Sequence, residues 1–200
     1  MTLRRRWLLG AIAGLPFTAR AGAQLEEPLA DSVRTALSSA IANAAPPIPE
    51  FTAEPARQSY RRWLEAMDLR LQRHKRLPAE REEFLQTVWY ESRRAGLDTG
   101  LVLGLIEVES GFRKFAVSRV GARGYMQVMP FWSRVIGDGD ASRLFHMQTN
   151  LRFGCVILRH YLDRERGDLF MALGRYNGSR GRAAYPNAVL VAAQRWTFLA

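Results

Sequence analysis

One cysteine, Cys155, stands in a chain of 200 residues. No intrachain disulfide can form, so an ordinary apolar core has to hold the fold, and the length permits one. Cys155 lies on the stripe Leu151, Gly154, Cys155, Leu158 and Leu162, whose helical spacing marks a buried face rather than a catalytic thiol. Histidine is nearly as scarce. His74, His146 and His160 are scattered without metal-ligand spacing, so neither a metal nor another cofactor is expected. Strand patterns are scarce, and internal repeats and low-complexity tracts are missing. What is left is a mainly α chain, in which no apolar run after residue 23 is long enough to span a bilayer.

Residues 1–23 read as an export signal. Arg4-Arg5-Arg6 forms a charged start, Trp7 to Phe17 an apolar stretch too short to cross a membrane, and Ala21-Gly22-Ala23 a small-residue cleavage site before Gln24. The adjacent arginines also fit a twin-arginine signal. No cysteine lies at the cleavage site, so no stable membrane anchor is expected once the signal is removed, and the product is expected in the periplasm or cell envelope. The whole chain carries a formal charge of +10. Residues 1–23 hold four arginines and no acid, so their removal leaves +6. A basic balance suits an anionic partner such as a bacterial wall, a membrane surface or nucleic acid and does not choose among them, while export argues against nucleic acid.

Three regions follow from the pattern: the signal at 1–23, an N-terminal helical arm and Pro-rich linker at 24–77, and one mainly helical domain at 78–200. In the arm, Val33, Leu37 and Ile41 mark a modest helix from Asp31 to Ala44, which Pro46-Pro47-Ile48-Pro49 stops. Residues 24 to about 55 are expected to be loosely attached. A second helix from Pro55 carries Tyr60, Trp63, Leu64, Met67 and Leu71 at helical spacing and is expected to pack on the domain after it. From Pro78 onward, helices are expected to Gly96, from Asp98 or Thr99 to Gly111, from Asn150 to about Arg166, from Asp168 to Asn177, and from about Pro186 to the end. The segment from Phe131 to Met147 carries no strong motif.

Leu101 to Val108 form a helix apolar nearly all round, which places it in the middle of a core. Glu109 extends its Leu101, Val102, Leu105, Ile106 face. Glu107 is two residues away, roughly 200° around the helix, so the two acids cannot share one cleft. Desolvation by the apolar face and the negative end of the helix dipole should both raise the pKa of Glu109. Such a carboxyl can serve as a general acid near neutral pH, and it can equally be a structural group that caps the next loop; the helix pattern does not choose.

The stretch Glu109-Ser110, followed by Gly121-Ala122-Arg123-Gly124-Tyr125-Met126-Gln127-Val128-Met129-Pro130, resembles the catalytic core of soluble-type lytic transglycosylases (SLT domain, glycoside hydrolase family 23). Asn150-Leu151-Arg152-Phe153-Gly154 with Tyr161-Leu162, then Arg175-Tyr176-Asn177-Gly178, then Tyr185 with Val189-Leu190 follow in the family's order. The similarity runs from about residue 80 to 195.

The resemblance implies a lysozyme-like domain that cleaves the MurNAc–GlcNAc bond of peptidoglycan glycan strands and forms 1,6-anhydro-N-acetylmuramic acid, with Glu109 as acid and then base. It implies substrate-binding roles for Ser110, Met126, Gln127, Tyr176, Asn177 and Tyr185, with the Tyr185 hydroxyl as a donor to Glu109. Tyr125, Arg175 and Gly178-Ser179 depart from the residues common in the family. Two other functions fit the same sequence. One is a lysozyme-type muramidase in which Asp138 or Asp140 positions a water; the other is a non-catalytic wall-binding protein whose 24–77 arm docks onto envelope or secretion machinery.

Overall fold

Residues 24–42 and 49–198 are described by the computed structural model, so the expected export signal and most of the proline linker lie outside the described residues. Eight α-helices form among them: α1 (Asp31–Ala42), α2 (Glu54–Leu71), α3 (Pro78–Arg94), α4 (Thr99–Ser110), α5 (Phe131–Ile136), α6 (Met147–Arg164), α7 (Leu169–Tyr176) and α8 (Ala184–Arg195). Local chemistry sets several of these ends. Pro78 opens α3 where its missing N–H costs nothing. Asp98 caps α4 by accepting from the Leu101 amide at 2.8 Å, and Asp168 caps α7 by accepting from Met171 at 3.0 Å. Gly111 ends α4 at φ 56°, a left-handed conformation that glycine adopts without strain.

The mainly α expectation holds: among the described residues there is no strand, only two isolated antiparallel bridges, Val117 with Arg123 and Arg123 with Val128. The motif-poor stretch after Pro130 is ordered too. It contains α5 and a 3₁₀ turn from Ala141 to Phe145, whose start Asp140 caps by accepting from the Ser142 amide at 2.9 Å.

At the centre lies α4, with every residue from Gly100 to Ile106 buried. It packs most closely on α8, because two of its glycines leave room. A Cβ on Gly104 would stand 2.4 Å from the backbone nitrogen of Ala193, and one on Gly100 would stand 3.0 Å from the carbonyl oxygen of Trp196. Helix α6 lies against α3 and α7. It is tied to α3 by a buried ion pair in which Arg152 Nη2 donates to Glu91 Oε1 at 2.8 Å.

The segment before residue 78 shares this core. Tyr60, Trp63, Met67 and Leu71 of α2 are buried, with the Trp63 and Trp89 rings 4.9 Å apart. Residues 24–42 are also fastened down, contrary to the loose attachment expected for 24 to about 55. Gln24 is buried and accepts from the Trp132 indole at 2.9 Å, and Glu27 accepts from Arg175 at 2.9 Å and pairs with Arg164. These contacts join residues more than a hundred positions apart, which helical periodicity cannot register. Helix α1 has no fully buried residue; Val33, Leu37 and Ile41 are half-buried, and α1 lies across α5 and α6.

Gly104→Ala is expected to lower the thermal midpoint, since a methyl group forced against the α8 backbone typically costs ~1–3 kcal/mol. A melting curve superimposable on the wild type would refute the close helix crossing.

Candidate active site

Glu109 sits on the last turn of α4 and is 5% exposed. The close crossing with α8 brings Tyr185, on the first turn of that helix, to it, and the Tyr185 hydroxyl donates to Glu109 Oε1 at 2.5 Å. Oε2 is buried with no hydrogen-bond partner. A carboxyl in this position pays heavily for ionising. Burial pushes its pKa from 4.5 up to about 8, while the Tyr185 hydroxyl pulls the other way by stabilising the charged form. Burial also raises the Tyr185 and Tyr176 hydroxyls well above the ordinary tyrosine range, and a charged Glu109 adds to both shifts. These phenols therefore act as proton holders and not as bases at neutral pH. Glu107 points elsewhere, accepting from the Trp196 indole at 2.7 Å and from Arg195 at 3.0 Å.

Among the described residues, burial and the Tyr185 hydrogen bond are what move the Glu109 equilibrium. Asp138 pairs with Arg143, and Asp140 accepts from the amide and hydroxyl of Ser142. Both acids line a cavity of about 390 Å³ with Ser38, Ile41, Arg152 and Phe153, a set that does not include Glu109. Among the described residues no group of three or more His, Cys, Asp or Glu is placed to hold a metal.

The loop between α4 and α5 is locked from behind by Asn150 of α6. Its Oδ1 accepts from the Met126 amide at 2.8 Å, and its Nδ2 donates to the carbonyls of Arg123 and Leu144, each at 2.8 Å. Gly124 is required here: its φ is 74°, and a Cβ would stand 2.4 Å from Asn150 Nδ2. Gln127 is almost fully buried in a left-handed conformation, φ 48°. Its Nε2 donates to the carbonyls of Ala116 and Gly124 at 3.1 and 3.0 Å, so the amide oxygen is the atom left to offer.

Met126 and Tyr176 face inward. Both are 0% exposed, Met126 packs against Gly154, and Tyr176 donates to the Met126 carbonyl at 2.7 Å. They build the floor under the loop; neither offers a surface to a sugar ring in this conformation. Ser110 donates to the carbonyl of Ile106 at 3.2 Å, which leaves its hydroxyl oxygen as an acceptor. Asn177 ends α7 and donates through Nδ2 to Ser179 at 2.9 Å, while its Oδ1 is buried without a partner. Asn150 carries no role in the sequence pattern, although it stands at the head of one of the motifs; its two bonds to a loop more than twenty residues away, at Met126 and Arg123, become visible only in three dimensions.

Residues 87–189 match the transglycosylase SLT domain. The chain belongs to this family. Among curated proteins, a transglycosylase of Enterobacteria phage PRD1 is 32% identical over 115 residues, which cover 54% of this chain and 42% of the phage protein. A membrane-bound lytic murein transglycosylase C of Glaesserella parasuis is 43% identical over 129 residues, 56% of this chain and 35% of that protein. Among solved structures, an inactive mutant of lytic transglycosylase Slt from Pseudomonas aeruginosa has a TM-score of 0.44 and 24% identity, covering 55% of this chain and 21% of that one. The chain thus spans less than half the length of these curated relatives. Glu109, the loop to Gln127, the Tyr176-Asn177 pair and Tyr185 all fall inside the SLT stretch, whereas α1 and α2 precede it.

The raised carboxyl of this SLT domain has a sign that can be tested. Between its unfolded pKa near 4.5 and its folded pKa of about 8, the folded chain holds a proton that the unfolded chain has lost. This contribution to stability is fully present below pH 4.5 and is lost as pH rises through 8. Glu109→Gln cannot titrate, so its urea midpoint should improve relative to wild type between pH 5 and pH 8.5. Parallel pH profiles for the two proteins would rule out the shift.

Proposed function

We propose that this chain is a peptidoglycan lytic transglycosylase that cuts the β-1,4 bond between N-acetylmuramic acid and N-acetylglucosamine. The observation that carries the reading is the buried Glu109 carboxyl, raised to about 8, which one tyrosine holds by one oxygen while the other oxygen has no partner. Protonated Glu109 donates from Oε2 to the glycosidic oxygen as the bond to C1 breaks. The resulting carboxylate, held at Oε1 by Tyr185, takes the proton from the C6 hydroxyl as O6 closes onto C1. Glu109 ends protonated, as it began, and no water is consumed.

This route suits a site with one acid. Glycosidases that use water or a carboxylate nucleophile place two carboxyls ~5 to 9.5 Å apart across the bond. Asp138 and Asp140 are engaged with Arg143 and Ser142 instead, which weighs against the muramidase alternative. For binding, the Asn177 Oδ1 without a partner and the free carbonyl side of Gln127 are acceptors suited to acetamido N–H or sugar hydroxyl groups, and the Ser110 oxygen can accept a further hydroxyl. Met126 and Tyr176 support these groups from below. An envelope location agrees with the basic charge and the apparent export signal. Attachment to envelope or secretion machinery would use the outward side of the 24–77 arm, since the apolar face of α2 is taken up by the core.

Digestion of purified murein should yield muropeptides lighter by one water than their hydrolytic counterparts. Positioned acid–base groups contribute ~10² to 10⁴ in rate, so Glu109→Gln should lose at least that much. The wild-type rate should fall above about pH 8, where the acid form is lost. Reducing ends alone among the products would favour the muramidase, and a wild type that binds glycan without cutting it would favour the wall-binding scaffold.

A further inference from the structure

The lobe between Gly111 and Gly124 has a charge pattern that the glycan chemistry leaves unused. From Gly111 to Gly137 there are five cations, Arg113, Lys114, Arg119, Arg123 and Arg134, and no acid. Arg134 pairs with Glu26. The other four form no ion pair among the described residues, although arginines elsewhere, including Arg81, Arg143, Arg152, Arg175 and Arg180, are paired. Arg113, Lys114 and Arg119 are exposed. The lobe also exposes Phe115, Val117 and Val120, at 71%, 60% and 52%, an unusual concentration of apolar surface on one short loop.

The lobe is fixed to the catalytic site. Arg113 Nε donates to the Ser110 carbonyl at 2.8 Å, one residue beyond Glu109, which leaves the outer nitrogens of its guanidinium open. The Ala116 carbonyl accepts from Gln127 Nε2 at 3.1 Å and from the Gly124 amide at 2.9 Å. On the outer side the rings of Phe115 and Phe145 lie 6.0 Å apart, with Lys114 Nζ 5.4 Å from the first and Arg123 Cζ 5.5 Å from the second. Cations held over rings are partly ordered before any ligand arrives. The result is a basic and apolar rim whose anchors are the site residues Ser110 and Gln127.

A sugar backbone carries no charge for such a rim to meet. The anionic part of a wall strand is its peptide stem, which combines free carboxylates with small apolar side chains. Resting on the transglycosylase reading, we infer that the 112–123 lobe binds the acidic peptide stem of the substrate, so that the enzyme discriminates stem-bearing from naked glycan through Arg113, Lys114, Arg119 and the Phe115 platform. Guanidinium groups hold carboxylates in a planar fork, and the attraction between exposed partners weakens as salt screens it.

The test uses the full chain with Glu109→Gln as a binding form, and glycan strands with stems intact or removed by an amidase. Stem-bearing strands should bind roughly 10-fold tighter at low salt, with the advantage fading as salt rises, as expected for rim charges. Adding Lys114→Glu and Arg119→Glu, both at exposed positions, should abolish the advantage and leave affinity for naked strands and the melting temperature unchanged. Equal binding of the two strand types would overturn the inference, as would a charge-reversed lobe that weakens both alike. Vesicles rich in anionic phospholipid form a separate arm: lobe-dependent binding to them without any preference for stems would assign the surface to lipid and refute the stem. Wild-type product analysis keeps the two readings apart, because normal anhydro products without stem preference sink only the lobe, whereas no cleavage at all sinks the transglycosylase.

Discussion

The contact between Glu109 and Tyr185 depends on how closely α4 and α8 approach, and that approach depends on side chains that are absent. Gly104 and Gly100 let the backbone of α8 and the start of its C-terminal turn come within van der Waals reach of α4. Both helices are then locked, because the faces they bury are shared. Glu109 at the end of one and Tyr185 at the start of the other are brought together at a single point. The remaining helices serve this pair. Asn150 on α6 holds the loop that carries Met126 and Gln127, and Tyr176 on α7 bonds to the same loop from beneath.

Two opposing effects set the chemistry at that point. Burial favours the neutral carboxyl, and the Tyr185 hydroxyl favours the charged one. An acid used first as a donor and then as a base needs both, since a fully dry site would never release the proton and a wet one would never keep it near neutral pH. One oxygen is held by Tyr185 and the other is buried without a partner, so in the proposed route the proton leaves and returns through Oε2. The proposed mechanism needs no second carboxylate, because charge is moved through one group in sequence rather than shared between two at once.

Charge is arranged differently away from the acid. The arginines of the N-terminal segment, α6 and α7 are largely consumed in pairs that fasten the fold. Arg175, which stood out in the sequence beside Tyr176-Asn177, joins Glu27 to Glu165 and so ties residues 24–29 to the SLT domain. The cations of the 112–123 lobe are left open at the edge of the site. Glu27 and Glu165 are engaged within the fold and the basic groups of the lobe stand at the rim, which is the arrangement the proposed stem contact uses.

Much of this was legible in the amino-acid order, because it is local. Caps at Asp98 and Asp168, stops at Gly96 and Gly111, and the apolar run of α4 depend on neighbours within a few residues, so composition and spacing suffice for these helices, though not for α5 in the motif-poor stretch after Pro130. The helical phase likewise separates Glu109 from Glu107. The motifs in family order identified the acid and Tyr185 as a pair. What the order could not reveal was which polar groups are spent. Met126 and Tyr176 read as sugar-facing walls and instead form the floor, because the space beside Gly154 admits the methionine side chain. Residues 24–42 read as loosely attached and are instead pinned through Gln24 and Glu27 to Trp132, Arg164 and Arg175. The sequence alone determined the helices other than α5 and the helical phase of Glu109, since both follow from short-range pattern. Tertiary structure decided the burial of that acid, its tyrosine and the open rim beside it, since desolvation and long-range pairing exist only once the chain has closed on itself.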